Sequence, residues 1–237
     1  MTDPFVHVES VEKRWNGQLG VEDISLSIPR GSFVALLGPS GCGKSTTLRL
    51  LAGLETPDSG RIIIGGRDVT ASPAAERGLS MVFQSYALFP HLDVAENVLF
   101  GLKVRRVPRA EQRAKLVQAL DMTGLTGLEQ RKPGQISGGQ RQRIGLARAL
   151  YGNPKVIVLD EPNSNLDDQG EQALALTLQQ LHQEGTTVFV VSHRPSLLRN
   201  VDKLLVLKDG QIKDLGARDD VMRRLAQQNA SQAPATR

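Results

Sequence analysis

The most constraining stretch of this chain is GPSGCGKST, which begins at Gly38. It satisfies G-x-x-x-x-G-K-[S/T], a pattern whose chemistry works between a buried strand and the first turn of a helix. Both neighbours are present. SFVALL before it is continuously apolar, and the residues over 45–54 carry helical spacing. Gly38, Pro39, Ser40, Gly41, Cys42 and Gly43 are expected to curl into a nest of backbone N–H groups around phosphate oxygens. Lys44 then reaches the outer phosphates, the Ser45 hydroxyl serves as a ligand for Mg²⁺, and Thr46 completes the motif. Cys42 reads as a passive small residue of the loop.

The rest of the chain agrees with that start. FVHVESVEKRW and VEDISLSIP alternate on either side of Asn16-Gly17, the pattern of an antiparallel hairpin. SGRIIIGGRDV adds a short strand and turn, and LSMVFQ a buried strand. Over 94–149 the spacing becomes helical, with breaks at Pro108, Gly124 and Pro133. KVIVLDEP, TTVFVVSH and KLLVLKDGQI then read as three buried strands, with the helical DQGEQALALTLQQLHQEG after the first. Such alternation implies a mainly parallel sheet covered on both faces. The expected fold is α/β: a P-loop NTPase core with a mainly parallel sheet, an N-terminal antiparallel β-subdomain and a helical subdomain. It forms one domain, with the core over 1–92 and 150–225, a helical lobe over 93–149 and a frayed polar tail over 226–237.

Further groups fit the phosphate end of such a sheet, because open α/β sheets bind ligands at the carboxyl ends of their strands. In VIVLDEP four apolar residues end in Asp160, placed to hold Mg²⁺, and Glu161 next to it is placed to polarise an attacking water. Gln84 ends LSMVFQ and His193 ends TTVFVVSH. Gln84 is expected at the metal and the water, and His193 at the γ-phosphate. A second glycine pair, in QISGGQRQR, opens onto a helix and has the character of an anion site, yet lacks a lysine.

Bulk properties exclude several classes. A chain of 237 residues, 40% hydrophobic and 23% charged, is large enough for one substantial core and ordinary for a globular protein. No apolar run approaches the roughly 20 residues that span a bilayer. The N-terminus has acidic residues and no apolar h-region, so no signal peptide is expected. A single cysteine precludes an internal disulfide and suits a reducing compartment. The net charge of +4 is scattered, which reads as solvated surface rather than a nucleic-acid face.

The phosphate loop, ISGGQ and LDEP, in this order and over nearly the whole chain, resemble the ATP-binding subunits of ABC transporters. The resemblance implies Mg²⁺-dependent ATP hydrolysis by a head-to-tail homodimer. Each ATP is sandwiched between the loop of one subunit and Ser137, Gly138, Gly139 and Gln140 of the other, and this accounts for the missing lysine. It also places Trp15 where the family stacks adenine, a task for a large flat ring. The stretch from Ser85 to Val98 falls where transmembrane permease subunits are touched. The resemblance implies a cytoplasmic chain held peripherally on the inner face of the cell membrane through those subunits, with no nucleic-acid partner. NSNLD falls on a loop that crosses the dimer. Asn163 departs from the leucine more usual there in importers, and Ile136 from the usual leucine before the glycine pair.

The two halves are similar to different branches. Up to about residue 134 the chain resembles sugar and glycerol-phosphate importer ATPases; from Gln135 onward NPKVIVLDEPNSNLDDQG and VSHRPSLL resemble type I protein-secretion exporter ATPases. Importers of the sugar type carry a further C-terminal β-domain and exporters a fused transmembrane region, and neither pattern is read in these 237 residues, so neither is expected. The expectation drawn is a recombined or designed hybrid joined over 131–143, against a natural divergent subunit. Three functions are carried: a transport-coupled ATPase; a hybrid that folds and binds ATP with weak or uncoupled hydrolysis; and a non-transport ABC ATPase.

Overall fold

The structure, a computed structural model, describes residues 4–83, 87–150, 152, 154–163, 166, 168–192 and 194–232. Alternation along the central strands builds two cores at once. In β3 (Phe33–Leu37), Val34 and Leu36 face one layer while Phe33 and Ala35 face the other. β7 (Val156–Asp160) and β8 (Thr187–Val191) split in the same way, Val158 and Phe189 to one side, Ile157 and Val190 to the other. Strands apolar on both faces belong inside a parallel sheet. They form it in the order β10-β9-β3-β8-β7-β6, with β6 at Leu79–Val82, β9 at Lys203–Lys208 and β10 at Gln211–Ala217. Only β10 runs antiparallel, against β9.

The first layer is closed by a second sheet, β2-β1-β4-β5, built on the hairpin β1 (Val6–Trp15) and β2 (Gln18–Ile28) with β4 (Ser59–Ile64) and β5 (Arg67–Asp68). Its Asn16-Gly17 turn has both central φ angles positive, at 48° and 82°, as a two-residue hairpin turn requires. Helix α1 (Lys44–Ala52) lies between the two sheets and starts one residue before the expected range. The helical lobe consists of α2 (Val94–Val104), α3 (Arg109–Met122) and α4 (Gly138–Leu150), with breaks at the expected prolines and glycine. Its own small core includes Val98, Leu120 and Ile144. α4 also lends Leu146 and Leu150 to the second layer beside α5 (Asp168–Gln183), so it belongs to lobe and core together.

Two expectations are corrected. KLLVLKDGQI is not one strand: Asp209 and Gly210, at φ 51° and 76°, turn it into the β9–β10 hairpin. The tail does not fray from residue 226, because after the short α6 (Pro195–Leu198) a helix α7 runs Arg218–Gln232, anchored by Val221 and Leu225 one turn apart. Among the described residues no helix is long and apolar enough to cross a membrane.

Candidate functional site: strand ends around a phosphate loop

Register places the site. Leu36 pairs with Val191 and Val191 with Asp160, while Val82 pairs with Leu159. The ends of β3, β8, β7 and β6 therefore form one row, and the loop after β3 opens beside Asp160 and Glu161. Gln84 and His193 lie just beyond the ends of β6 and β8 in sequence, outside the described residues.

The loop is wedged among distant segments. A Cβ at Gly38 (φ 145°) would meet Leu207 O at 2.1 Å and Cys42 Sγ at 2.6 Å, so no other residue fits. At Gly43 (φ 101°) a Cβ would meet Val21 Cγ1 at 2.6 Å. Cys42 is buried, and its carbonyl accepts from Gly210 N at 3.3 Å. The Lys44 ammonium donates to the carbonyls of Gly38 and Pro39, each at 2.8 Å. Lysine and loop thus satisfy each other, and Pro39, Ser40, Gly41 and Ser45 face solvent, with Thr46 half-buried. Trp15 is exposed at the hairpin end; its Nε1 sits 2.9 Å from where a Cβ of Gly20 would lie, and Gly20 O abuts Gly43 in turn. That chain of contacts sets the indole at the flank of the loop.

Ser45 Oγ donates to Asp160 Oδ1 at 3.2 Å. Burial pushes the Asp160 carboxyl above the ordinary carboxylate range, opposed by the Ser45 hydroxyl and abetted by the Glu161 charge. Glu161 follows with a positive φ of 50°, a conformation that costs energy in a residue with a side chain. Its N–H donates to Val191 O at 3.1 Å.

At the second glycine pair, Ser137 is the N-cap of α4. Gln140 N donates to Ser137 Oγ at 3.1 Å, and Ser137 N donates to Gln140 Oε1 at 2.9 Å, a reciprocal capping box. This role of Gln140 was not drawn from the sequence, although Ser-x-x-Gln before an apolar-periodic run is its signature. Gly138 and Gly139 occupy the first helical turn, where amides have no carbonyl of their own helix to meet, and Ser137 is exposed. The chain thus presents two helix starts suited to anions, α1 with a lysine and α4 without.

Buried polar residues complete the scaffold, and sequence reasoning passed over them. Arg77 donates to the carbonyls of Leu50, Leu51, Thr70 and Ser72, capping the C-terminus of α1. Asn97, fully buried on α2, donates to the carbonyls of Phe89, Leu92 and Asp93 and accepts from Phe89 N. It braces part of the stretch between Ser85 and Val98; Ser85 itself lies outside the described residues. Arg148 on α4 donates to Ala87 O at 2.5 Å and lies over the Phe89 ring.

Comparison with known proteins agrees with this geometry. The model of the family described as ABC transporter matches residues 21–164. The chain is 48% identical over 211 residues to the Fe(3+) ions import ATP-binding protein FbpC of Agrobacterium fabrum, covering 88% of this chain and 60% of the relative. It is 46% identical over 213 residues to the sulfate/thiosulfate import ATP-binding protein CysA of Thermosynechococcus vestitus, covering 89% and 63%. The chain therefore spans about three fifths of the length of these relatives. Alignments of that length cross residues 131–143, where a join was expected. Among solved structures, the ATP-binding cassette MJ0796, a dimer in a post-hydrolysis state bound to ADP and Pi, matches with a TM-score of 0.82 and 31% identity, covering 90% of this chain and 98% of the other. A glycine-rich loop with its lysine between strand and helix, a carboxylate pair at the adjoining strand end and a capped SGGQ helix, on a fold shared with that cassette and matched by the family model, lead to one conclusion: the chain belongs to the ABC transporter family, as one of its ATP-binding cassettes.

Proposed function

We propose that this chain binds MgATP and hydrolyses it as a head-to-tail dimer, powering import through separate membrane subunits. The observation that carries the reading is the pair of complementary helix starts. α1 supplies a lysine and a nest for one nucleotide, while α4 presents Ser137 and first-turn amides that suit the γ-phosphate of a partner's nucleotide. The dimeric ADP- and Pi-bound relative supports the pairing. Import of an inorganic ion, iron or sulfate, is carried over from the names of the relatives.

The residues present fit Mg²⁺. Ser45 Oγ and Asp160 Oδ1 are hard oxygens already 3.2 Å apart, and no cluster of three or more His, Cys, Asp or Glu occurs among the described residues. Two protein oxygens suit an ion that takes its other ligands from phosphates and water. When bound, the ion would neutralise charge on the phosphates. Lys44 would exchange the carbonyls of Gly38 and Pro39 for phosphate oxygens, and Trp15 would stack the adenine. Glu161 would accept the proton of the attacking water, with Gln84 orienting that water and the metal, and His193 bonding the γ-phosphate.

The permease contact proposed for the stretch from Ser85 to Val98 would extend onto the neighbouring face of β6 and α2. Phe83, Phe100 and Val104 are 37%, 38% and 66% exposed there, beside a groove that also touches Arg105 and Arg148. Three apolar side chains open to water beside a groove favour a protein partner. This seat is consistent with a cytoplasmic chain held peripherally at the inner membrane face. The import relatives cross the region of the expected join, which favours one lineage over a recombined hybrid. Separate searches with residues 1–134 and 135–237 that agree on one branch would close the hybrid reading.

The test is the ATPase rate per subunit as protein concentration rises, alongside Ser137→Arg. A rate that climbs with concentration and collapses in the variant supports the dimer. A rate indifferent to both overturns it and favours a cassette that binds ATP without closing on it.

A further inference from the structure

The Glu161 peptide is gripped from two sides. Its N–H is held by Val191 O, while its carbonyl lies 3.5 Å from Nε2 of Gln142, which stands on α4 five residues after Ser137. Gln142 and Asn163 are only 3% and 4% exposed, and each has one side-chain atom without a partner: the acceptor Oε1 of Gln142 and the donor Nδ2 of Asn163. Buried polar atoms are almost always satisfied, so two complementary orphans flanking the same turn require an account. Asn163 is anchored through Oδ1, which accepts from Ser192 Oγ at 3.3 Å. That hydroxyl also accepts from Arg194 N at 3.1 Å. A small apolar cavity touching Gln142, Pro162 and Leu166 borders the same turn.

We propose that Gln142 and Asn163 are positioning residues that latch when the ATP sandwich closes, Gln142 Oε1 accepting from Asn163 Nδ2. The inference rests on the head-to-tail dimer proposed above. A γ-phosphate bound by the partner acts on the N-terminus of α4, and a helix moves as a rod over two turns. Gln142 therefore transmits that displacement to the carbonyl of Glu161, and the latch locks the turn to Ser192 at the end of β8. The half-site on α4 serves the partner's nucleotide, whereas Glu161 serves its own. Occupancy of one sandwich thereby sets the water-activating carboxylate of the other, and the orphans are the open state of a two-position contact.

The test is ATPase rate against ATP concentration for the parent, Gln142→Met, Asn163→Leu and the double variant. The parent is expected to be sigmoidal, and each single variant to approach a Hill coefficient of about 1 while kcat falls roughly tenfold. Affinity of the dilute subunit for a fluorescent ATP analogue should stay within about twofold. The double variant should do no worse than either single one, because both break one contact. A purely structural role would lower the melting temperature and leave the Hill coefficient unchanged. Met nearly conserves the volume of Gln; should Gln142→Met fail to fold, Asn163→Leu decides alone. Parental sigmoidality in the single variants, or losses that multiply, would overturn the latch. A parent whose rate depends on protein concentration but is hyperbolic in ATP also overturns it while sparing the dimer; a concentration-independent parent overturns both.

Discussion

Burial lifts the Asp160 carboxyl above the usual range, so its ionised form, without a cation, is a desolvated charge beside a second carboxylate. Asn at this position keeps an acceptor for Ser45 Oγ and removes the charge. Asp160→Asn should therefore melt a few degrees higher than the parent in EDTA without nucleotide, and lose the extra stabilisation that MgATP gives the parent. Calorimetry with and without MgATP reads both; a variant that melts lower when empty contradicts the burial argument. At this scale the sequence was informative where chemistry is local. The phosphate loop, Asp160 and Glu161 are recognised by neighbours in the chain, and the structure brings them together. Gln142, Asn97 and Arg77 were passed over because a polar residue on a helix or loop reads as solvated until its surroundings are known. A signal existed for Asn97, which sits on the buried face of α2 between Val94 and Val98.

Arg77 shows how an element end depends on a residue outside it. The last carbonyls of α1 have no helical partners, and one buried guanidinium takes those of Leu50 and Leu51 while also bonding the loop carbonyls of Thr70 and Ser72. Arg77→Met keeps much of the volume and removes four bonds. It should cost about 3 kcal/mol, lowering the melting temperature by roughly 8 °C. A change below about 2 °C in thermal unfolding would mean that water replaces the cap. Most elements were legible from period alone. The β9–β10 hairpin was missed although Asp209-Gly210 is a turn dipeptide, because the apolar run before it masked the turn. α7 was missed for the opposite reason: Val221 and Leu225 are a weak apolar stripe among charged and amide residues.

For the whole molecule, strand order lay beyond sequence reading, since nothing local tells β3 to pair with β8 and β9 rather than with its neighbours in the chain. The exposed Phe83, Phe100 and Val104 likewise become a surface only once α4, packed against both, brings α2 and β6 to one groove. Phe100→Asp should abolish co-purification with permease-containing membranes while leaving the basal ATPase of the isolated chain within about twofold. Retained membrane binding would move the permease seat elsewhere. The phosphate loop has a different dependence on the whole. It is closed by Leu207 O against Gly38 and by Gly210 N on the Cys42 carbonyl, partners about 170 residues downstream. During synthesis the loop therefore leaves the ribosome long before its supports exist, and contacts so distant in sequence form late. Nascent chains stalled short of residue 200 should not be retained on immobilised ATP, whereas released full-length chains should. The order of translation itself thus keeps an incomplete subunit from loading fuel.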